Sequence, residues 1–112
     1  MPFNLTTPID EYREEYKNKI NALSGEKILE RIPLWKQNNL NARYSELLTK
    51  QFNNESFTPE DHDDWLLIES SWNWVKTIRS LSNTANLALD SLESTEEIYN
   101  TFITFKTTID PL

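Results

Sequence analysis

The residues best suited to chemistry are the run Glu60-Asp61-His62-Asp63-Asp64, which places four carboxylates beside the only histidine of the chain. Carboxylate and imidazole groups are common ligands of cations in proteins. Consecutive residues fan out around a helix, however, whereas a metal site needs side chains that converge. The run opens a predicted helix, where acidic side chains offset the helix dipole. We therefore predict that this run binds no metal and that the chain uses no cofactor.

No other grouping in the sequence predicts catalysis. The chain has no cysteine to pair with His62, and no serine has the recognisable sequence context of a nucleophile. Adjacent acids such as Glu14 and Glu15 point in different directions on a helix, which does not suit shared acid–base work. Gly25 is the only glycine, so the chain has no glycine-rich loop for a phosphate group. The sequence predicts a protein that is not an enzyme.

Length and charge limit the remaining possibilities. A chain of 112 residues predicts one helical domain, 1–112. The net charge of -7 repels phosphate backbones, and no local basic patch offsets it, so we expect no nucleic-acid partner. No window approaches the roughly 18 apolar residues of a membrane span, so we expect no membrane partner. The first residues have neither a basic region nor an apolar run, which argues against a secretory signal.

The longest periodic stretch predicts one long central helix over about 59–92. Apolar residues recur there at gaps of three and four, which places them on one face of an α-helix. These residues are Trp65, Ile68, Trp72, Val75, Ile78, Leu81, Ala85 and Leu89. The start signal Thr58-Pro59 precedes the stretch. Trp65 and Trp72, seven residues apart, are therefore predicted to anchor the core.

The other predicted elements are three further helices. A first arm over 9–32, with Thr7 as its cap, breaks at Pro33 because proline lacks an amide donor. A second helix follows over 34–51, and a short C-terminal helix over 95–109 begins with the capping signal of Ser94. The sequence thus predicts an all-α fold, an elongated helical hairpin or small bundle with a Pro33-kinked first arm.

Apolar side chains outside the predicted core stripe are candidates for partner contacts. Trp74 lies well away from Trp65 and Trp72 on the helical wheel, and an exposed tryptophan is typical of an interface. Leu66 and Leu87 also lie outside the core stripe of the long helix, and Tyr99 and Ile103 lie outside the apolar face of the last helix. We expect the chain to form a homo- or hetero-oligomer, with Trp74 near the contact.

Polar residues within apolar periodicity have two interpretations. In the first, the long side chains extend to solvent. In the second, they form a buried polar network that sets the register of the helices. The candidates for such a network are Gln37, Asn38, Arg43, Arg79 and Asn83.

Two segments carry a resemblance to a known group of proteins. The first runs from Ile20-Asn21 through Gly25-Glu26 and Ile28-Leu29 into Arg31-Ile32-Pro33-Leu34-Trp35-Lys36-Gln37-Asn38-Asn39 and Ala42-Arg43. The second comprises Trp72-Asn73-Trp74-Val75, Ile78-Arg79 and Ser82-Asn83. Together they resemble small helical proteins and segments encoded among bacteriophage tail and tail-fibre genes, over roughly residues 9–90.

This resemblance implies a structural role in a virion. The chain would be a tail or tail-fibre-associated adaptor that packs against larger tail proteins, located in the virion and in the host cytoplasm during assembly. One alternative is a fibre-assembly factor that is absent from the finished particle. Another is a small acidic inhibitor of a host protein, which only the net charge favours. Receptor binding is not implied, because the chain has no β-rich region of the kind that full-length fibres carry.

Overall fold

The structure is a computed structural model that describes residues 8–112, and it is all-α over that range. Its four helices are α1 (Pro8–Arg31), α2 (Leu34–Phe52), α3 (Pro59–Leu89) and α4 (Thr95–Ile109). The predicted order of helices and the break at Pro33 are confirmed. The predicted cap at Thr7 lies outside the described residues.

Local signals account for the ends of the helices. At α2, Asn54 adopts a left-handed backbone (φ 56°), and the N–H of Glu55 reaches back to the carbonyl of Lys50 at 2.9 Å. Asparagine tolerates this conformation at helix C-termini. At α4, the N–H of Glu97 donates to the Ser94 hydroxyl at 3.1 Å, which confirms the predicted cap.

The helix α3 ends at Leu89, earlier than the predicted end near residue 92. The side chain of Arg13 on α1 provides a reason. Its Nε donates to the Leu89 carbonyl at 2.8 Å, and Nη2 donates to the Leu92 carbonyl at 2.7 Å. The first bond satisfies a carbonyl at the end of the helix, where intrahelical donors are missing, and the second holds the turn that follows. Lys17 forms an ion pair with Asp90 in the same turn.

The chain divides into two compact units. The first, which we call the three-helix unit, contains the described residues up to Lys27 together with Ile78–Leu112. The second, the hairpin unit, is Ile28–Thr77 and consists of the last turn of α1, α2 and the first part of α3. The helices α1 and α3 each contribute residues to both units.

The cores of both units are mainly aliphatic. In the three-helix unit the most deeply buried side chains are Ile20, Ile78, Leu89, Ile98 and Ile109, and in the hairpin unit they are Leu47 and Val75. Trp65 and Trp72 are only half-buried, so the prediction that they anchor the core is wrong. We call the line of contact between α2 and α3 the α2–α3 seam. The two tryptophans lie beside this seam and not on it, and two helices alone cannot enclose an indole ring that lies to one side of their contact.

Gly25 lies inside α1, and a methyl group at its Cα would meet no atom within 4 Å. We therefore expect Gly25→Ala to raise the free energy of unfolding by about 0.5–1 kcal/mol, because glycine loses more backbone entropy on folding. Thermal and urea denaturation would measure the change. Ala22→Gly, at an exposed position of the same helix, should lower stability by a similar amount. Equal stability of Gly25→Ala and wild type would contradict this account of α1.

Candidate functional site

The densest group of charged side chains lies in the hairpin unit and is centred on Asp61. Asp61 is buried, with 3% of its surface exposed, although it belongs to the acidic run that opens α3. The N–H of Thr58 donates to Asp61 Oδ2 at 2.9 Å, and the N–H of Asp61 donates to the Thr58 hydroxyl at 3.1 Å. This reciprocal pair is a capping box, which confirms the helix start predicted at Thr58-Pro59.

Two cations from α2 complete the surroundings of Asp61. Arg43 Nη2 donates to Asp61 Oδ1 at 2.5 Å, and Lys50 Nζ donates to Oδ2 at 2.6 Å. Arg43 also binds Asp64 through Nε at 2.8 Å and Glu46 through Nη1 at 3.1 Å. We call Arg43, Lys50, Asp61 and Asp64 the ion-pair cluster. It joins α2 to α3 along one side of their seam.

The electrostatics of the cluster favour the charged forms of Asp61 and Arg43. The pKa of Asp61 lies well below its usual range, mainly because Lys50 donates a hydrogen bond to it, with further bonds from the Thr58 amide and Arg43. The pKa of Arg43 is raised by its hydrogen bonds to Asp64 and Asp61. A general acid or base works best with a pKa near the working pH, so these shifts suit a structural role.

The predicted polar network is only partly realised. Arg43 takes part in interhelical bonds, but its partners are the acids of α3 and not the other four candidates. Gln37 Nε2 donates to the carbonyl of Ile32 at 2.9 Å, across the break between α1 and α2. Asn38, Arg79 and Asn83 are exposed, so the prediction of a network that includes them is wrong. Their positions on the helices leave their side chains facing solvent.

A second polar group was missed by reasoning from sequence. In the three-helix unit, Asn86 Nδ2 donates to Asn21 Oδ1 at 2.8 Å, and the Ser82 hydroxyl lies 3.4 Å from the same oxygen. The Oδ1 atom of Asn86 is buried and accepts no hydrogen bond from the described residues. Asn86 follows Ser82 by four residues, a spacing that places them on one helix face and could have indicated a shared partner.

The predicted interface residues differ in their exposure. Leu66, Leu87, Tyr99 and Ile103 are exposed, as the helical wheel predicted. Trp74 is half-buried, and the Arg31 guanidinium lies 4.5 Å from the centre of its ring. The expectation that Trp74 is an exposed anchor is therefore wrong, because a cation from α1 covers one face of the indole.

An aromatic group lies on the other side of the α2–α3 seam from the ion-pair cluster. The ring of Tyr44 stacks on Trp65 with ring centroids 5.5 Å apart. The ring centroid of Phe57 lies 6.0 Å from that of the same indole. Leu48 follows Tyr44 by one turn, and Trp72 follows Trp65 by two turns. We call Tyr44, Leu48, Trp65 and Trp72 the aromatic face. Tyr44 and Leu48 are exposed and both tryptophans are half-buried, so this face is accessible to a partner.

The three-helix unit contains a groove of about 350 Å³ between α3 and α4. Leu81, Ala85 and Phe105 line it together with several threonines. The hydroxyls of Thr101 and Thr108 donate to carbonyls of their own helix, at 2.9 and 2.8 Å. These bonds leave the threonine methyl groups available to the groove, so its surface is largely apolar.

The acidic run of α3 shows no sign of metal chemistry in the part of the chain described. Within residues 8–112, no group of three or more His, Cys, Asp or Glu side chains could hold a metal ion. His62 packs edge-on against Phe57, with ring centroids 5.4 Å apart. None of the helices in this range is long and apolar enough to cross a membrane.

The ion-pair cluster generates a paired test of stability. We expect Asp61→Asn to lower the thermal unfolding midpoint clearly, because it leaves Arg43 and Lys50 without their shared carboxylate. Asp63→Asn makes the same change of charge two residues away at an exposed position. Asp63→Asn should change the free energy of unfolding by no more than about 0.5 kcal/mol, as most surface substitutions do. If the two variants melt at the same temperature, the cluster does not stabilise the fold.

The pH dependence of stability gives a second test of the same carboxylate. Because the folded pKa of Asp61 is depressed, its contribution is complete above the unfolded value, about 4, and declines as the pH falls below it. Urea unfolding between pH 7 and pH 3 should therefore show a weaker loss of stability in Asp61→Asn than in Asp63→Asn. Parallel curves for the two variants would show that the pKa of Asp61 is not depressed.

Comparison with protein-family models, curated proteins and solved structures finds no match to this chain.

Proposed function

We propose that this chain is a non-enzymatic interaction module that holds larger proteins together by helical packing. The resemblance to proteins encoded among phage tail genes supplies the setting: a structural adaptor of the virion that binds tail or tail-fibre proteins. Its partners are proteins, its site of action is the tail, and it passes through the host cytoplasm during assembly.

The observation that carries this proposal is the amount of apolar surface on the hairpin unit. Eight large apolar side chains of this unit are exposed: Leu29, Leu34, Trp35, Tyr44, Leu48, Phe52, Leu66 and Leu67. Phe52 is 89% exposed, and Trp35 is 66% exposed. Isolated exposed apolar residues are common on proteins, but a concentration of this kind is typical of surfaces that bind partners.

The charged residues of the hairpin unit support a binding role over a catalytic one. Arg43 and Lys50 both bind Asp61, so their charges stabilise the α2–α3 seam. A ligand that used them would have to break these bonds. The apolar side chains are free of such a constraint, because contact with a partner would only remove them from water.

Mass spectrometry of purified particles would test the proposal. In a phage that encodes the chain, we expect it in gradient-purified virions at a fixed ratio to a tail protein. Detection in the infected-cell lysate but not in virions would contradict a virion component and would favour the assembly factor.

A substitution can link this result to the hairpin unit. Phe52→Ser should reduce the number of copies per particle, because it removes the most exposed aromatic side chain of that unit. Leu87→Ser is the matched control, since Leu87 is also highly exposed but belongs to the three-helix unit. Normal incorporation of Phe52→Ser together with loss of Leu87→Ser would place the contact on the other unit.

A further inference from the structure

The part of α3 that belongs to the hairpin unit carries an ordered stripe of four side chains. Trp65, Glu69, Trp72 and Lys76 follow one another at gaps of four, three and four residues. This spacing keeps all four on one side of an α-helix. The stripe alternates an aromatic ring, an acid, an aromatic ring and a base.

The two sides of the α2–α3 seam differ in what a further helix would have to displace. On one side, Arg43 binds Asp61 and Asp64, and a partner there would have to displace these ion pairs. On the other side lies the aromatic face, where Tyr44 stacks on Trp65. The hairpin unit has two long helix segments, and on this side Tyr44 and Leu48 are exposed while Trp65 and Trp72 are half-buried. A further pair of helices would convert this seam into the core of a four-helix bundle.

We propose that the aromatic face is an interface between two copies of this chain, with α3 of one copy antiparallel to α3 of the other. A two-fold axis beside Trp72 would bring the two Trp72 rings together. Glu69 precedes Trp72 by three residues, and Lys76 follows it by four. An antiparallel copy therefore places Glu69 against Lys76 of the second copy, and the symmetry repeats this pair.

Charge argues for a second copy as the occupant. The chain carries a net charge of -7, so most contacts between copies would bring like charges together. The stripe on α3 carries one charge of each sign, and neither Glu69 nor Lys76 joins an ion pair among the described residues. A strongly basic partner would gain little electrostatic attraction from this stripe, because its one acid is balanced by its one base. A second copy in antiparallel orientation matches both charges at once.

This inference deepens the proposed function by naming one partner of the hairpin unit as another copy of the chain. Its test measures self-association in purified protein, which the analysis of virions does not measure. An experiment can therefore contradict self-association without contradicting the proposed role in the virion, and the reverse is also possible.

Sedimentation of the full chain at low salt, over a range of concentrations, tests the proposal. We expect wild type to form a dimer. Glu69→Lys and Lys76→Glu should each weaken dimerisation about tenfold, because each change creates two repulsive pairs across the two-fold axis, about 1.4 kcal/mol in all. The double variant Glu69→Lys/Lys76→Glu should recover most of the wild-type affinity, since it restores opposite charges in the reversed order.

Controls separate this interface from general effects of charge and folding. Both positions are exposed, so circular dichroism should show unchanged helix content in all variants. Leu87→Glu introduces a charge at an exposed apolar position of the three-helix unit and should leave the dimer intact. Raising the salt concentration should reduce the differences in dimer affinity among the charge variants, because salt screens the charges.

Three results would overturn the proposal. Wild type could remain a monomer at every concentration, which would show that another occupant, or none, covers the aromatic face. Dimerisation could be lost in Leu87→Glu and be unaffected by the changes at 69 and 76. The double variant could be weaker than either single variant, which would exclude the antiparallel pairing.

Discussion

Burial along α3 repeats every seven residues, and the rest of the structure depends on that repeat. The buried positions that follow this repeat are Asp61, Ile68, Val75, Ser82 and Leu89. A strict repeat of seven is typical of helices that pack side by side over a long distance. The positions three residues further on differ between the units: Asp64 and Ser71 are polar, whereas Ile78 and Ala85 are apolar and buried. The apolar pair belongs to the unit that contains α4, so one helix meets two different environments.

The first position of the repeat is an acid, which is costly to bury unless its charge is compensated. Asp61 has that compensation from the amide of Thr58 and from two cations of α2. Its bonds to Arg43 and Lys50 define which turn of α2 lies against the start of α3. A pair of leucines could fill the same space, but they would not specify the register as narrowly, because apolar contacts have no direction.

The asymmetry of the α2–α3 seam has a consequence for function. Charges close one side of it, while the other side exposes the aromatic face. An interface needs apolar surface that remains exposed after the chain has folded. The hairpin unit has such surface because only two long helix segments share its core. A structural adaptor and a self-associating copy would both use this surface. The exposed apolar residues and the limited core of the unit are thus two results of one arrangement.

The sequence by itself determined the helices, their approximate ends and the exposure of Leu66 and Leu87. Those features depend on periodicity, on Pro33 and on caps such as Thr58, all of which act within a few residues. Only the tertiary structure decided the burial of the tryptophans and the pairing of Arg43 with Asp61, 18 residues apart. Whether a side chain beside a seam is enclosed depends on how many helices meet there. Periodicity along one helix does not contain that information.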